Sequence, residues 1–220
     1  MRRNIVFCLR NCGWLALFAT LMMWAGTDPA KPNDNWRILP GGGGAITATT
    51  TRRDLVARFG AANVVDQDIV TGHGEGEIVP VTVLFPNDPK RRLEINWKDE
   101  KTKLAPEFLT IHGEKSVWHT VHGISLGTCL KHLESINGRP FSLLGFGWDF
   151  EGKVESWNNG VLDKELEGKG RVFMQLVPWG EVPVAESEMD EVIGDGPFSS
   201  SHPIMQKINP CASEITWKFP

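Results

Sequence analysis

Leu93, Ile95 and Trp97 alternate with Glu94 and Asn96, and this two-residue period constrains the fold more than any other feature of the chain. Successive side chains of a strand point to opposite faces, so the pattern describes a strand with one apolar and one polar face. Strand-like runs recur at 63–70, 81–85, 92–97, 108–112, 117–121, 141–149, 153–157, 171–177 and 214–219. Short half-buried strands joined by turns build antiparallel sheets rather than the parallel sheets of alternating strand–helix folds. Asn87-Asp88-Pro89 and Glu151-Gly152 supply the turn chemistry for two hairpins. The expected class is α+β with a mainly antiparallel sheet.

Two short capped helices interrupt the strands. The first spans 52–59, with Thr51 as cap, Asp54 three residues on, Leu55, Val56 and Phe59 as its apolar stripe, and Gly60 as its end. The second spans 129–136, with Thr128 as cap, Cys129, Leu130, Leu133 and Ile136 as its stripe, and Gly138 after it. The spacing from Ile46 to Gly60 equals that from Ile124 to Gly138, and Glu94-Ile95-Asn96-Trp97-Lys98 echoes Glu214-Ile215-Thr216-Trp217-Lys218. This order suggests a tandem repeat of a helix-plus-sheet unit, with halves 45–115 and 116–220. The acidic stretch 182–201 reads as a surface excursion with a helical turn near 186–192. A further short helix follows from Pro203 to Ile208, capped by Ser201.

The start of the chain reads differently. Arg2, Arg3 and Arg10 precede an uncharged, mostly apolar run from Trp14 to Gly26, the order of a secretory signal. The run is short for a spanning helix. Residues 1–26 are therefore a signal peptide or an uncleaved N-terminal membrane anchor. Residues 27–44, with Pro29, Pro32, Pro40 and four consecutive glycines, read as a linker. No Lys-Ser or Lys-Thr pair follows the glycines, so they do not form a phosphate loop. A single α+β domain is left at 45–220. Export places it in the periplasm or cell envelope. Without the three arginines the formal net charge moves from −4 to −7, since no acid precedes Thr27. No basic cluster with interleaved aromatics exists beyond Lys90-Arg91-Arg92, which argues against nucleic acid as a partner. Cys129 and Cys211 are the cysteines of the exported part. In an oxidising compartment they invite a disulfide, the alternative being two separate buried thiols.

Ile124-Ser-Leu-Gly-Thr128, followed by a short helix, Gly138 and aromatic strands, loosely resembles the helix-then-sheet unit of the SmpA-type envelope lipoproteins and of the β-lactamase inhibitory protein. The runs FPNDP (85–89), GFGWD (145–149) and SSSHPIMQKINP (199–210) resemble a family of uncharacterised exported bacterial proteins. Neither resemblance carries a catalytic or binding residue with it.

Several patterns carry chemistry on paper. Gly123-Ile124-Ser125-Leu126-Gly127 fits the G-x-S-x-G nucleophile elbow. A serine hydrolase would use Ser125, with Asp149, Asp163, Asp190 or Asp195 orienting His202. Against it, the chain lacks the strand–helix alternation of that fold, and Ile124 and Leu126 make sense as core contacts with Ser125 turned outward. His112, His119, His122 and His132 lie close together, but no Cys or carboxylate stands beside them at ligand spacing, so no metal site is expected. No cofactor is called for. Phe146, Trp148, Phe150 and Trp157 form the best binding candidate. On a strand the first three share a face, as a ligand surface or as the core under the second helix. The functional expectation is a non-catalytic binding or scaffold module that recognises an envelope protein or a small ligand. The alternative is a serine hydrolase through Ser125.

Overall fold

A computed structural model describes residues 36–38, 44–71, 76–148, 150–163, 170–181 and 183–220. The expected signal or anchor at 1–26 and most of the linker lie outside these residues. Among the described residues no helix is long and apolar enough to cross a membrane.

The chain forms α1 (Arg52–Phe59), β1 (Val64–Thr71), β2 (Glu77–Leu84), β3 (Leu93–Trp97), β4 (Pro106–His112), α2 (Leu130–Asn137), β5 (Ser142–Leu144), β6 (Val154–Ser156), β7 (Arg171–Val177), α3 (Glu186–Met189), β8 (Pro197–Ser199), α4 (Pro203–Ile208) and β9 (Cys211–Lys218). The class is α+β. Six strands make one antiparallel sheet in the order β1-β2-β3-β4-β9-β7, and three make a small sheet in the order β6-β5-β8. The echoing segments of β3 and β9 lie on either side of β4, with Ile95 and Trp217 both opposite Leu109. A tandem repeat is not shown. The first half is a four-strand meander, whereas the second sends β7 and β9 to the large sheet and β5, β6 and β8 to the small one.

The period-two pattern sets the two faces. Val64, Leu84, Leu93, Ile95, Leu109, Ile111, Ile215, Trp217 and Met174 point one way and are buried. Leu55 of α1, Leu130 and Leu133 of α2, and Ile204, Met205 and Ile208 of α4 pack into the same cluster. The described helices thus cover one side of the large sheet, and its other side carries a mixture of polar, aliphatic and aromatic side chains, with Val81 and Val83 buried among them.

Local chemistry explains the elements. The Thr51 hydroxyl accepts from Asp54 N at 3.2 Å and the Asp54 carboxylate accepts from Thr51 N at 2.9 Å, a complete capping box on α1. α2 is capped differently from the expectation. Its N-cap is Cys129, while the Thr128 hydroxyl accepts from Ser125 N in the turn before it. The orphan N–H groups of the first turn go to a distant segment instead: Leu130 N donates to Pro210 O at 2.8 Å and Lys131 N to Asn209 Oδ1 at 3.0 Å. A disulfide joins Cys129 to Cys211 at this point, with Cα atoms 3.8 Å apart. α4 is capped by His202, whose Nδ1 accepts from Ile204 N at 3.2 Å, and not by Ser201, whose hydroxyl bonds to Ser199.

Two further expectations are corrected. Part of the expected linker belongs to the core: Ile38 is buried, its N–H bonds to His119 O, and Trp36 meets Trp118 edge-on at 4.9 Å. The segment 117–121 makes only an isolated bridge, Arg37 with His119, and is not a sheet strand.

Candidate binding face

On the side of the large sheet away from the buried cluster, one cross-strand row runs Phe173, Thr216, Thr110, Glu94, Val83 and Val65. The next row contains Gln175, Glu214 and His112. The Thr110 and Thr216 hydroxyls bond to each other at 2.9 Å. Glu94 is buried on this face, where one carboxylate oxygen accepts from Arg92 at 2.7 Å and meets His112 Nε2 at 2.9 Å. Burial pushes the Glu94 carboxyl up, but the bonds from His112 and Arg92 outweigh it and hold it below the usual carboxylate range. The hydrogen bond to Glu94 raises His112 against the opposing effect of burial.

Beside this cluster lies a trough of about 360 Å³, lined by Phe150, Lys153, Phe173, Met174, Gln175, Glu214 and Thr216. Phe150 is 63% exposed and Phe173 36%. Lys153 Nζ sits 5.4 Å from the Phe150 ring centroid. The Gln175 amide donates to Glu151 O at 3.0 Å, and Leu176 N donates to Gly152 O at 2.9 Å. These bonds fix the 150–153 turn against β7. Gly152 has φ +64 and its missing Cβ would fall 1.7 Å from Leu176 O, so the approach of turn to strand requires glycine.

The aromatic quartet read from sequence is split by this geometry. β5 ends at Leu144, Phe146 makes only an isolated bridge to Ile193, and the backbone turns at Gly147 with φ +85, so positions 146, 148 and 150 do not share a strand face. Phe146 is buried, with its N–H on Val192 O, and Trp157 is buried 4.9 Å from Phe141. Trp148, 59% exposed, and Phe150 remain at the surface. Phe173 joins Phe150 at the site, and its signal lies in the alternation of β7: Val172, Met174 and Leu176 are the apolar face, which leaves Phe173 between Arg171 and Gln175 on the polar one.

Ser125 is not arranged as a nucleophile. It lies in a loop rather than on a strand-to-helix turn. Ile124 and Leu126 are buried as expected, but Ser125 is half-buried, and its single hydroxyl proton goes to Trp118 O at 2.6 Å, with Ser116 O at 3.1 Å as the weaker arm of a shared bond. No hydrogen bond joins it to His202, whose Nδ1 is occupied by the α4 cap. Asp163 accepts from Asn159 N at 2.7 Å, and Asp149 lies outside the described residues. His119 Nδ1 is bonded to Thr120 O. Among the described residues no group of three or more His, Cys, Asp or Glu is placed to hold a metal ion.

The chain matches no family model, no curated protein and no solved structure. Its candidate site therefore stands on side-chain chemistry: two accessible phenyl rings, a cation, a carboxylate, an amide and a hydroxyl around one trough.

Proposed function

We propose that this chain is a non-catalytic binding module, exported to the periplasm or cell envelope, that holds its ligand or partner in the trough between the 150–153 turn and β7–β9. One observation carries the reading. Phe150, on the turn, and Phe173, on β7, are both exposed and line one trough on the side of the sheet opposite the core, a pairing of accessible aromatic rings that suits a contact surface. The turn bearing Phe150 is tied to β7 by bonds from Gln175 and Leu176, so the site is preformed and little ordering free energy is lost on binding. The disulfide and the basic-then-apolar N-terminus support export.

Hydrogen exchange of the purified domain, with and without an envelope extract of its host, tests the proposal. Protection is expected in 150–153, 171–176 and 214–216, and its loss in a Phe150→Ser, Phe173→Ser double variant with an unchanged melting temperature. Protection that persists in the variant, or none at these segments, would overturn it.

A further inference from the structure

We infer that the ligand of this trough is a neutral oligosaccharide, an inference that rests on the binding role proposed above. Apart from the two phenyl rings, the accessible lining is polar: Lys153, Gln175, Glu214 and Thr216. Met174 is itself buried. A wholly apolar ligand would strip water from these four groups without replacing its hydrogen bonds, which is costly. A ligand with no apolar face would leave Phe150 and Phe173 unused. A pyranose ring offers both surfaces. Its axial C–H groups carry a small positive charge and rest on the negative face of a phenyl ring. Its hydroxyls, at the ring edge, both donate and accept.

The polar lining matches that dual demand. Lys153 donates. With the Gln175 amide nitrogen committed to Glu151 O, its oxygen is left as an acceptor. Glu214 accepts, and the Thr216 hydroxyl, already bonded to Thr110, keeps either its proton or a lone pair for the ligand. One lysine and one glutamate cancel in formal charge, so the trough selects neither anions nor cations. Two rings, Phe150 on the turn and Phe173 on β7, offer two stacking surfaces in one trough, which suits a chain of sugars better than a single ring.

Calorimetric titration of the purified domain with the β-1,4 tetramers of N-acetylglucosamine and of glucose, and with the α-1,4 tetramer of glucose, tests the inference. At least one should bind with a Kd below about 1 mM. Phe150→Ala and Phe173→Ala should each weaken it about tenfold or more, with the melting temperature held, while Val161→Ala at an exposed site elsewhere leaves it unchanged. No binding by any of the three, or binding indifferent to both phenylalanines, overturns the inference. So does a Phe150-dependent response to a phenylalanine-rich peptide or to a sulfated tetrasaccharide alone. If the sugars fail while the host extract still protects 150–153 and 171–176, the ligand class is wrong and the binding site stands. If both fail, the site falls too.

Discussion

Removing the Cys129–Cys211 disulfide isolates the contribution of one covalent tie. The bridge spans a sequence separation of 82 residues, between the N-cap of α2 and the first residue of β9. In the chain-entropy model, closing a loop of that length stabilises the folded state by about 4.5 kcal/mol. Three backbone bonds hold the same two segments together without the sulfurs: Leu130 N to Pro210 O, Gly127 N to Ala212 O, and Ala212 N to Thr128 O. The reduced protein should therefore keep its fold and lose mainly the constraint on its unfolded chain. For a domain of this size that free energy lowers the melting temperature by roughly 10–15 °C. Thermal melts of wild type with and without reductant, beside a Cys129→Ala, Cys211→Ala variant, measure it. Reductant should bring wild type down to the variant, and the variant should ignore reductant. If reduced wild type, with both thiols verified by alkylation, melts with the oxidised protein, the entropic reasoning is refuted.

Other predictions rest on single contacts. Gly160→Ala should destabilise by about 2 kcal/mol in urea melts, because the new methyl would lie 2.0 Å from Asn137 Oδ1, in a buried amide fixed by Arg139 O, Trp157 O and Leu162 N. Ser125→Ala should cost about 1 kcal/mol through its bonds to Trp118 O and Ser116 O, and wild type should not react with a serine-hydrolase probe. A chain starting at Trp36 should melt cooperatively, whereas one starting at Ala45 should lose about 3 kcal/mol with Ile38 and the Trp36–Trp118 contact. Stability should peak between about pH 4.5 and 6.5. The raised His112 contributes fully below its ordinary value and loses that contribution as pH rises through its folded pKa. The lowered Glu94 contributes above its ordinary value and loses that contribution as pH falls through its own. His112→Asn should flatten the alkaline limb of a pH series of melts.

The large sheet was legible because alternation survives in its strands: Leu93, Ile95 and Trp97 inward, and Arg171, Phe173 and Gln175 outward. α1 was legible because its cap is local. The start of α2 was not, since its first N–H groups are answered by Asn209 and Pro210 some eighty residues later, a pairing that no local pattern encodes. The aromatic quartet misleads because the chain turns at Gly147, with φ +85, before Trp148, and period-two reasoning fails across such a break. Half of the site was visible, in Phe150. The other half depended on knowing that β7 pairs with β9 and that the 150–153 turn folds onto it.

The central claim is that Phe150 and Phe173 form a contact surface for a ligand or partner. Photo-crosslinking in the native host tests it most directly, with benzoylphenylalanine placed at 150, at 173, and at Val161 as an exposed control. The account predicts a discrete adduct at 150 and 173 and none at 161, competed by excess wild-type protein. Equal labelling at all three positions, or adducts at 161 alone, would contradict it.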